Sequence, residues 1–231
     1  VLIGIGSGIG AGGNSLISRY VGASKFEDAN NAVLHTIILT FLVSIIILMI
    51  GIFFFDDIII LVGAKDVMSY CIDYGKILFL LNIVFLLPNT TSSIFRAEGD
   101  VKRATKPLRL TAILNMILDP IFIYFFNLGI FGASVATILA SLIGFIWMLY
   151  WIYIKNDTYF KFKIQYYKRN LEIYKKILIV SLPASFEEII FSIVAIVFNY
   201  LIIMTAGVNE VASFTIAWRY ISIIFLPCMA I

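Results

Sequence analysis

A polytopic bundle of membrane-spanning α-helices is the fold class that this sequence predicts, and three observations predict it. Hydrophobic residues make up 61% of the 231 residues and charged ones 13%, with a mean hydropathy of +1.02. Soluble domains are nearer half apolar and a quarter charged, so the excess here needs a bilayer. The apolar residues also fall in unbroken runs, and a helical span takes about 20 of them. Finally, Lys and Arg concentrate in alternate connections, as the positive-inside rule asks of a multi-pass protein. No β-barrel alternation appears along the runs.

The first element opens with VLIGIGSGIGAGGN. Gly8, Gly10 and Gly13 fit G-x-G-x-x-G, with Glu27 and Asp28 beyond them, which is the skeleton of a dinucleotide fingerprint. A Rossmann unit needs its second strand within about 30 residues. Here that window is filled by an apolar span beginning at Val33. The glycines read instead as two ladders of period four, Gly4–Gly8–Gly12 and Gly6–Gly10. Such small-xxx-small faces let helices approach closely in lipid. The run to about Tyr20 is therefore a partial span, and residues 211–231 form another. Between them lie five whole spans, at 33–55, 74–95, 108–126, 132–154 and 177–204.

Orientation follows from charge. The connection after the second whole span carries Arg96, Lys102, Arg103, Lys106 and Arg109. The one after the fourth carries Lys155, Lys161, Lys163, Lys168, Arg169, Lys175 and Lys176, whereas 127–131 and 205–210 carry neither Lys nor Arg. Both basic connections, and the 22–30 turn, are placed in the cytoplasm. The 52–73 connection holds Lys65 among Asp56, Asp57, Asp66 and Asp73, and is placed outside. Trp147, Tyr150, Trp151 and Tyr153 end their span on the cytoplasmic side, where an aromatic belt is expected.

Several classes are disfavoured by the same residues. A net charge of +3 is too small to suggest a nucleic-acid partner. Cys71 and Cys228 lie far apart without C-x-x-C spacing, so neither a disulfide framework nor a zinc site is indicated. His35 has no partner at ligand spacing and is expected to be an ordinary helix-end residue. No cleavable signal peptide is visible. Val1 in place of a methionine, and Ile231 inside an apolar run, lead to the expectation of a piece of a longer protein.

Within the spans, ionisable residues are costly and point to function. Asp119 lies in LRLTAILNMILDPIFIYFF, expected near mid-bilayer at about ten residues from either end. Asn115 and Thr111 precede it at intervals of four, so the three share one helical face. Pro120 supplies no N–H, which is expected to free the carbonyl of Met116 beside them. Hard oxygens of this kind suit Na⁺, and a desolvated carboxyl suits a proton; the alternative is an aspartate hydrogen-bonded to a neighbouring helix, where it serves packing alone. Glu187 and Glu188 follow Pro183; adjacent helical residues diverge by about 100°, so only one can face a central cavity. The other would snorkel or pair with Lys175 or Lys176. Arg219, inside the last run, is expected to pack or to meet headgroups. Tyr74, Asn82, Asn89 and Thr137 matter only if they converge on Asp119. An intramembrane aspartyl protease needs two facing aspartates, and only Asp119 lies deep in a span, so an enzyme is not expected.

The run FRAEGDVKRATKPLRLTAILNMILDPIFIYFFNLGIFGASVAT resembles the multidrug and toxic compound extrusion (MATE) transporters in their fourth-to-sixth-helix region. The matching elements are R-A-x-G-D, L-N-x-x-L-D-P and G-x-x-G-A-x-x-A-T. LISRYVGA resembles the family's second helix, and SLPASFEE to ASFTIAWR its seventh and eighth. The resemblance implies a twelve-helix, two-lobe transporter, of which residues 1–154 hold helices two to six of the first lobe. Residues 155–176 would be the cytoplasmic inter-lobe loop and 177–231 the start of the second lobe. It further implies a monomeric antiporter of the cell membrane, exporting small-molecule organic cations in exchange for Na⁺ or H⁺, with no other cofactor. Carried over, the cation site maps to Asp119, Asn115 and Thr137, with the backbone of Ala133 and nearby Tyr74. Glu187 or Glu188 is a looser match to an acidic residue on the seventh helix. The alternative is a lipid-linked oligosaccharide flippase of the related polysaccharide-export group, whose cavity would need Arg or Lys that these spans nearly lack.

Overall fold

In the computed structural model the chain is described at residues 2–61, 68–155, 167–206 and 208–229, and every regular element among them is a helix. The long helices are α1 (Leu2–Gly22), α2 (Phe26–Phe53), α7 (Val101–Pro120), α8 (Gly129–Tyr150), α9 (Leu171–Ala206) and α10 (Val208–Met229). Short α3 (Phe55–Leu61), α4 (Met68–Cys71) and α5 (Ile77–Leu80) lead into α6 (Ile83–Ala97). Widened π turns occupy Ile72–Lys76, Ile121–Phe125 and Trp151–Lys155. Two compact units are present, Val1–Glu188 and Ile189–Ile231. Among the described residues, four helices are long and apolar enough to span a membrane, and a fifth crossing is made if the bent pair Tyr74–Leu80 and Ile83–Ala97 counts as one. The protein is a multi-pass membrane protein.

Four sequence expectations change in the fold. The turn expected over 22–30 shrinks to residues 23–25, and α2 starts at Phe26. Ser24 takes a left-handed φ of 58°, while Glu27 and Asp28 occupy the first turn of α2, where carboxylates favour the helix dipole. The span expected over 74–95 is not continuous; it bends by 56° at Leu81–Asn82. Asn82 causes the break: its side-chain amide donates to the Phe79 carbonyl at 2.8 Å, in competition with the helical backbone. The third change concerns the aromatic belt. Tyr150 and Tyr153 do point outward, but Trp151 is 8% exposed and packs on Trp147 with ring centroids 5.1 Å apart. Trp151 belongs to the interior. Lys65, Asp66, Lys161 and Lys163 lie outside the described residues.

The core of the first unit gathers at one end. Ala29 of α2, Ala97 of α6 and Ile173 of α9 share one apolar cluster with Ile9, Ile17 and Ile94. The turn at 23–25, the end of α6 and the start of α9 therefore meet at the same end of the bundle, as the charge-based orientation requires of the connections they belong to. Asn31 ties them directly: its side chain donates to the Lys168 carbonyl and accepts from the Lys168 N–H, both at 3.1 Å. His35, expected at a helix end, is instead fully buried nine residues into α2. Its Nδ1 bonds the Asn31 carbonyl at 2.8 Å, its Nε2 accepts from the Asn170 N–H at 3.3 Å, and Tyr167 and Tyr174 flank the ring.

The glycine ladders of α1 do what lipid packing requires. On one face, a Cβ at Gly4, Gly8 or Gly12 would run into Glu188, Ser185 or Ser181 of α9. On the other, a Cβ at Gly6 would touch Leu86, and at Gly10 and Gly13 would collide with Ser93 and Thr36. The α2–α6 contact is polar rather than small. Thr40 and Thr90 share a hydrogen bond at 3.1 Å, and Ser44 donates to Asn82 at 2.7 Å. Phe41, Leu42, Ile45, Ile46 and Met49 stand exposed on the outer face of α2, where lipid solvates them. In the second unit, Phe198 of α9 lies parallel to Phe214 of α10, with centroids 6.2 Å apart. Arg219 is exposed.

Candidate functional site

α7 starts firmly. Asp100 caps it by accepting from the Arg103 N–H at 2.8 Å, the usual way to satisfy a first-turn donor. From that start, Thr111, Asn115 and Asp119 fall on one face at intervals of four. Thr111 turns its hydroxyl back to the Pro107 carbonyl at 3.1 Å. Asn115 is the junction. Its Nδ2 donates to Asp119 Oδ1 at 3.2 Å and, across to α8, to Thr137 Oγ1 at 3.2 Å. Thr137 passes its own proton to the Ala133 carbonyl at 2.8 Å. One carboxylate, one amide, one hydroxyl and one backbone carbonyl are thus linked between two helices. All four residues are half-buried.

One detail differs from expectation. Asp119 is not at mid-span, because the helix begins at Val101 and ends at Phe125. Asp119 lies in the outer third of that length, about 9 Å from its end at 1.5 Å per residue. Pro120, with no N–H to give, ends α7, and the chain widens into a π turn over Ile121–Phe125. The Ile121 N–H goes to the Leu118 carbonyl and the Phe126 N–H to Ile121, the latter at 3.0 Å. Pi turns of this kind recur at functional positions.

Other expected residues lie elsewhere. Tyr74 sits in the Ile72–Lys76 turn, 38% exposed, and makes no hydrogen bond to the Asn115 group among the described residues. Asn82 and Asn89 bond Ser44 and the Phe85 carbonyl respectively. Glu187 and Glu188 are both exposed on α9, with the stem of Glu188 against Gly4. Among the described residues, no three of His, Cys, Asp and Glu come together as a metal cluster. The donor set at Asp119 joins one carboxylate to neutral oxygens, hard donors of the kind that suit a monovalent cation or a proton.

Sequence reading overlooked the two glycines of α8 that flank this group. A Cβ at Gly144 would collide with Thr111 Oγ1 and lie 3.2 Å from the Pro107 carbonyl oxygen. A Cβ at Gly132 would lie 2.7 Å from the Phe122 carbonyl oxygen. For Gly132 the signal was present in the small residues of G-x-x-G-A-x-x-A-T, but Gly144 lies outside that motif, and the partners of both become visible only in the fold.

Residues 1–121, ending just past Asp119 and Pro120, match the model of the MatE family. The chain belongs to the MatE family. Multidrug export protein MepA of Staphylococcus haemolyticus (strain JCSC1435) is 27% identical over 222 residues, covering 96% of this chain and 49% of that protein. MepA of Staphylococcus aureus (strain MRSA252) is 25% identical over the same shares. Among solved structures, the inward-facing conformation of a multidrug resistance MATE family transporter of the MOP superfamily superposes with a TM-score of 0.90 at 34% identity. That match covers 98% of this chain and 52% of the other. An outward-facing conformation of a transporter of the same description gives 0.89 at 34% identity, over 99% and 51%. The chain spans about half the length of the curated relatives it matches. As a MatE chain it carries the Asn115–Asp119–Thr137 group on two adjacent helices of its first unit.

Proposed function

We propose that this chain carries the cation-coupling site of a MATE antiporter, which exports small organic cations across the cell membrane in exchange for Na⁺ or H⁺. Family membership and the multidrug-export relatives support the transport class. The observation that carries the site is the double donation from Asn115 to Asp119 and Thr137. In that arrangement the amide nitrogen stands where a cation would, satisfying the carboxylate and the hydroxyl oxygen. A half-turn of the amide replaces the nitrogen with Oδ1. The oxygens of Asp119, Asn115, Thr137 and Ala133 then converge, and a Na⁺ entering among them replaces the lost hydrogen bonds.

A proton acts through the same residue. Protonated Asp119 becomes a donor, and Asn115 must turn its oxygen to accept. Either cation thus cancels the carboxylate charge and reverses the amide that joins α7 to α8. The ion biases transport only by its differential affinity for two arrangements of these helices. Asn115 is the element that differs between them. The near absence of Lys and Arg in the spans weighs against a pyrophosphate-carrying substrate.

The test is efflux of a fluorescent organic cation by the full-length protein, with and without a Na⁺ gradient. Asp119→Asn is expected to lower coupled efflux at least about tenfold, as loss of a differential interaction worth about 1.4 kcal/mol or more would do. Efflux by Asp119→Asn equal to the parent's overturns the site. Acceleration of the parent by a Na⁺ gradient identifies the ion as Na⁺, and acceleration by a pH gradient alone identifies H⁺.

A further inference from the structure

The Asn115 group lies between two places where a glycine of α8 comes close against α7 or the π turn that follows it. Gly144 is seven residues, two helical turns, beyond Thr137 and so on the same face of α8. Its Cα rests against Thr111, one turn before Asn115. Thr111 cannot easily withdraw, because its hydroxyl is bound to the Pro107 carbonyl and Pro107 is itself buried. Gly132, on the other side of Thr137, rests on the Phe122 carbonyl, three residues past Asp119. That carbonyl also accepts from the Leu128 N–H at 3.2 Å, which holds it in place. Both glycines are buried. A methyl on Gly132 would need the Phe122 backbone to move, and one on Gly144 would need the Thr111 hydroxyl to turn away and the Pro107 carbonyl to give by a few tenths of an ångström.

We propose that Gly132 and Gly144 are positioning residues that clamp α7 to α8 at the separation where Asn115 reaches Thr137, and thereby set which cation the Asp119 group accepts. The inference rests on the cation-site reading and adds the source of its selectivity. Asp119 and Asn115 come from α7, while Thr137 and the Ala133 carbonyl come from α8. The opening between the two pairs of oxygens is therefore the width of the seam. Discrimination among hard cations depends on cavity size and on how rigidly the ligands are held. A methyl at Gly144 pushes the helices apart by a few tenths of an ångström and enlarges the opening. Removing the Thr111 side chain relaxes the same contact and lets it close.

The experiment uses the purified full-length protein and reads the carboxyl band of Asp119 by infrared difference spectroscopy, the band being assigned by its loss in Asp119→Asn. Titration with H⁺, Li⁺, Na⁺ and K⁺ yields four apparent affinities. Gly144→Ala is expected to shift the affinity ratios toward the larger ions by about fivefold or more, and Thr111→Ala toward the smaller ones. The double variant Gly144→Ala/Thr111→Ala is expected to return toward the parent ratios. Gly22→Ala, at a glycine with open space around it, is expected to change nothing. A general loss of packing would scale all four affinities together and leave the ratios alone. Parent ratios in Thr111→Ala, or in a folded Gly144→Ala, overturn the inference. A parent band that answers to none of the four cations overturns the cation site itself, and the inference with it.

Discussion

Ser44 and Asn82 hold each other by two hydrogen bonds: the serine hydroxyl donates to Asn82 Oδ1 at 2.7 Å, and Asn82 Nδ2 returns to the Ser44 carbonyl at 3.2 Å. The same Nδ2 reaches the Phe79 carbonyl at 2.8 Å, so one side chain of 1% exposure pins α2 to the bend of the broken span. Asn82→Leu removes three bonds at once and leaves the buried Ser44 hydroxyl without its acceptor. It is expected to cost about 1–3 kcal/mol, seen as a lower melting temperature in detergent. Ser44→Ala loses one interhelical bond and is expected to cost about 0.6 kcal/mol, the average found for such bonds in membranes. Equal stability of Asn82→Leu and the parent is the contrary result.

A second polar junction anchors the chain ahead of α9. The Lys168 N–H goes to Asn31 Oδ1 and the Asn170 N–H to His35 Nε2. Each amide thus reports on its own partner. His35→Phe is expected to speed hydrogen exchange at Asn170, and Asn31→Leu at Lys168. The rise should be about 5–30-fold, for a local loss of about 1–2 kcal/mol. Unchanged exchange at Asn170 in His35→Phe contradicts the role given to His35.

Most spans were legible in the sequence because lipid asks for unbroken apolar runs, and Asn115, Asp119 and Thr137 because two share an i, i+4 face and the third sits in a recognisable motif. What escaped depends on residues far apart in the chain. Nothing near Asn82 announces Ser44, 38 residues away, so the bend read as a continuous helix. His35 finds Asn170 at a distance of 135 residues, and so read as an unpaired histidine. The start of α2, FEDANN, is polar enough to pass for a turn, yet Asn30 and Asn31 are buried there. Trp151 could have been read correctly. It continues the Gly144–Met148 face at helical spacing, and that face is buried.

The α1–α9 contact makes an opposite pair of predictions. Ser181 is 2% exposed and its hydroxyl, pressed against Gly12, has no hydrogen-bond partner among the described residues. A buried hydroxyl without a partner keeps its desolvation cost. Ser181→Ala is therefore expected to leave stability unchanged or raise it by up to about 1 kcal/mol. Gly12→Val drives a branched side chain into Ser181 and the Ile177 carbonyl, and should cost about 1–3 kcal/mol by overpacking. Thermal unfolding of the two variants separates them by sign. Destabilisation by Ser181→Ala would mean that its hydroxyl does find a partner.

The R-A-x-G-D element joins α6 to α7 by backbone geometry. Arg96 donates to Ser92 and Ser93 one turn earlier, at 3.1 and 2.6 Å. Gly99, at φ 86°, ends α6: its N–H goes to the Arg96 carbonyl and that of Asp100 to Phe95, at 2.9 and 3.1 Å. That is the Schellman pattern, which needs a left-handed residue where Gly99 stands. Nothing lies within 4 Å of a Cβ added there, so the cost of Gly99→Ala comes from the backbone alone, about 1–2 kcal/mol. Asp100 then caps α7 and also pairs with Arg103 Nε at 2.8 Å. The two roles are separable. Asp100→Ala loses both and should cost about 1 kcal/mol or a little more. Asp100→Asn keeps the cap and loses only a partly exposed ion pair, worth less than about 1 kcal/mol. Unfolding is expected to rank the parent above Asp100→Asn, and that variant above Asp100→Ala. Equal losses in the two Asp100 variants would assign the stabilisation to the ion pair and leave the cap with none.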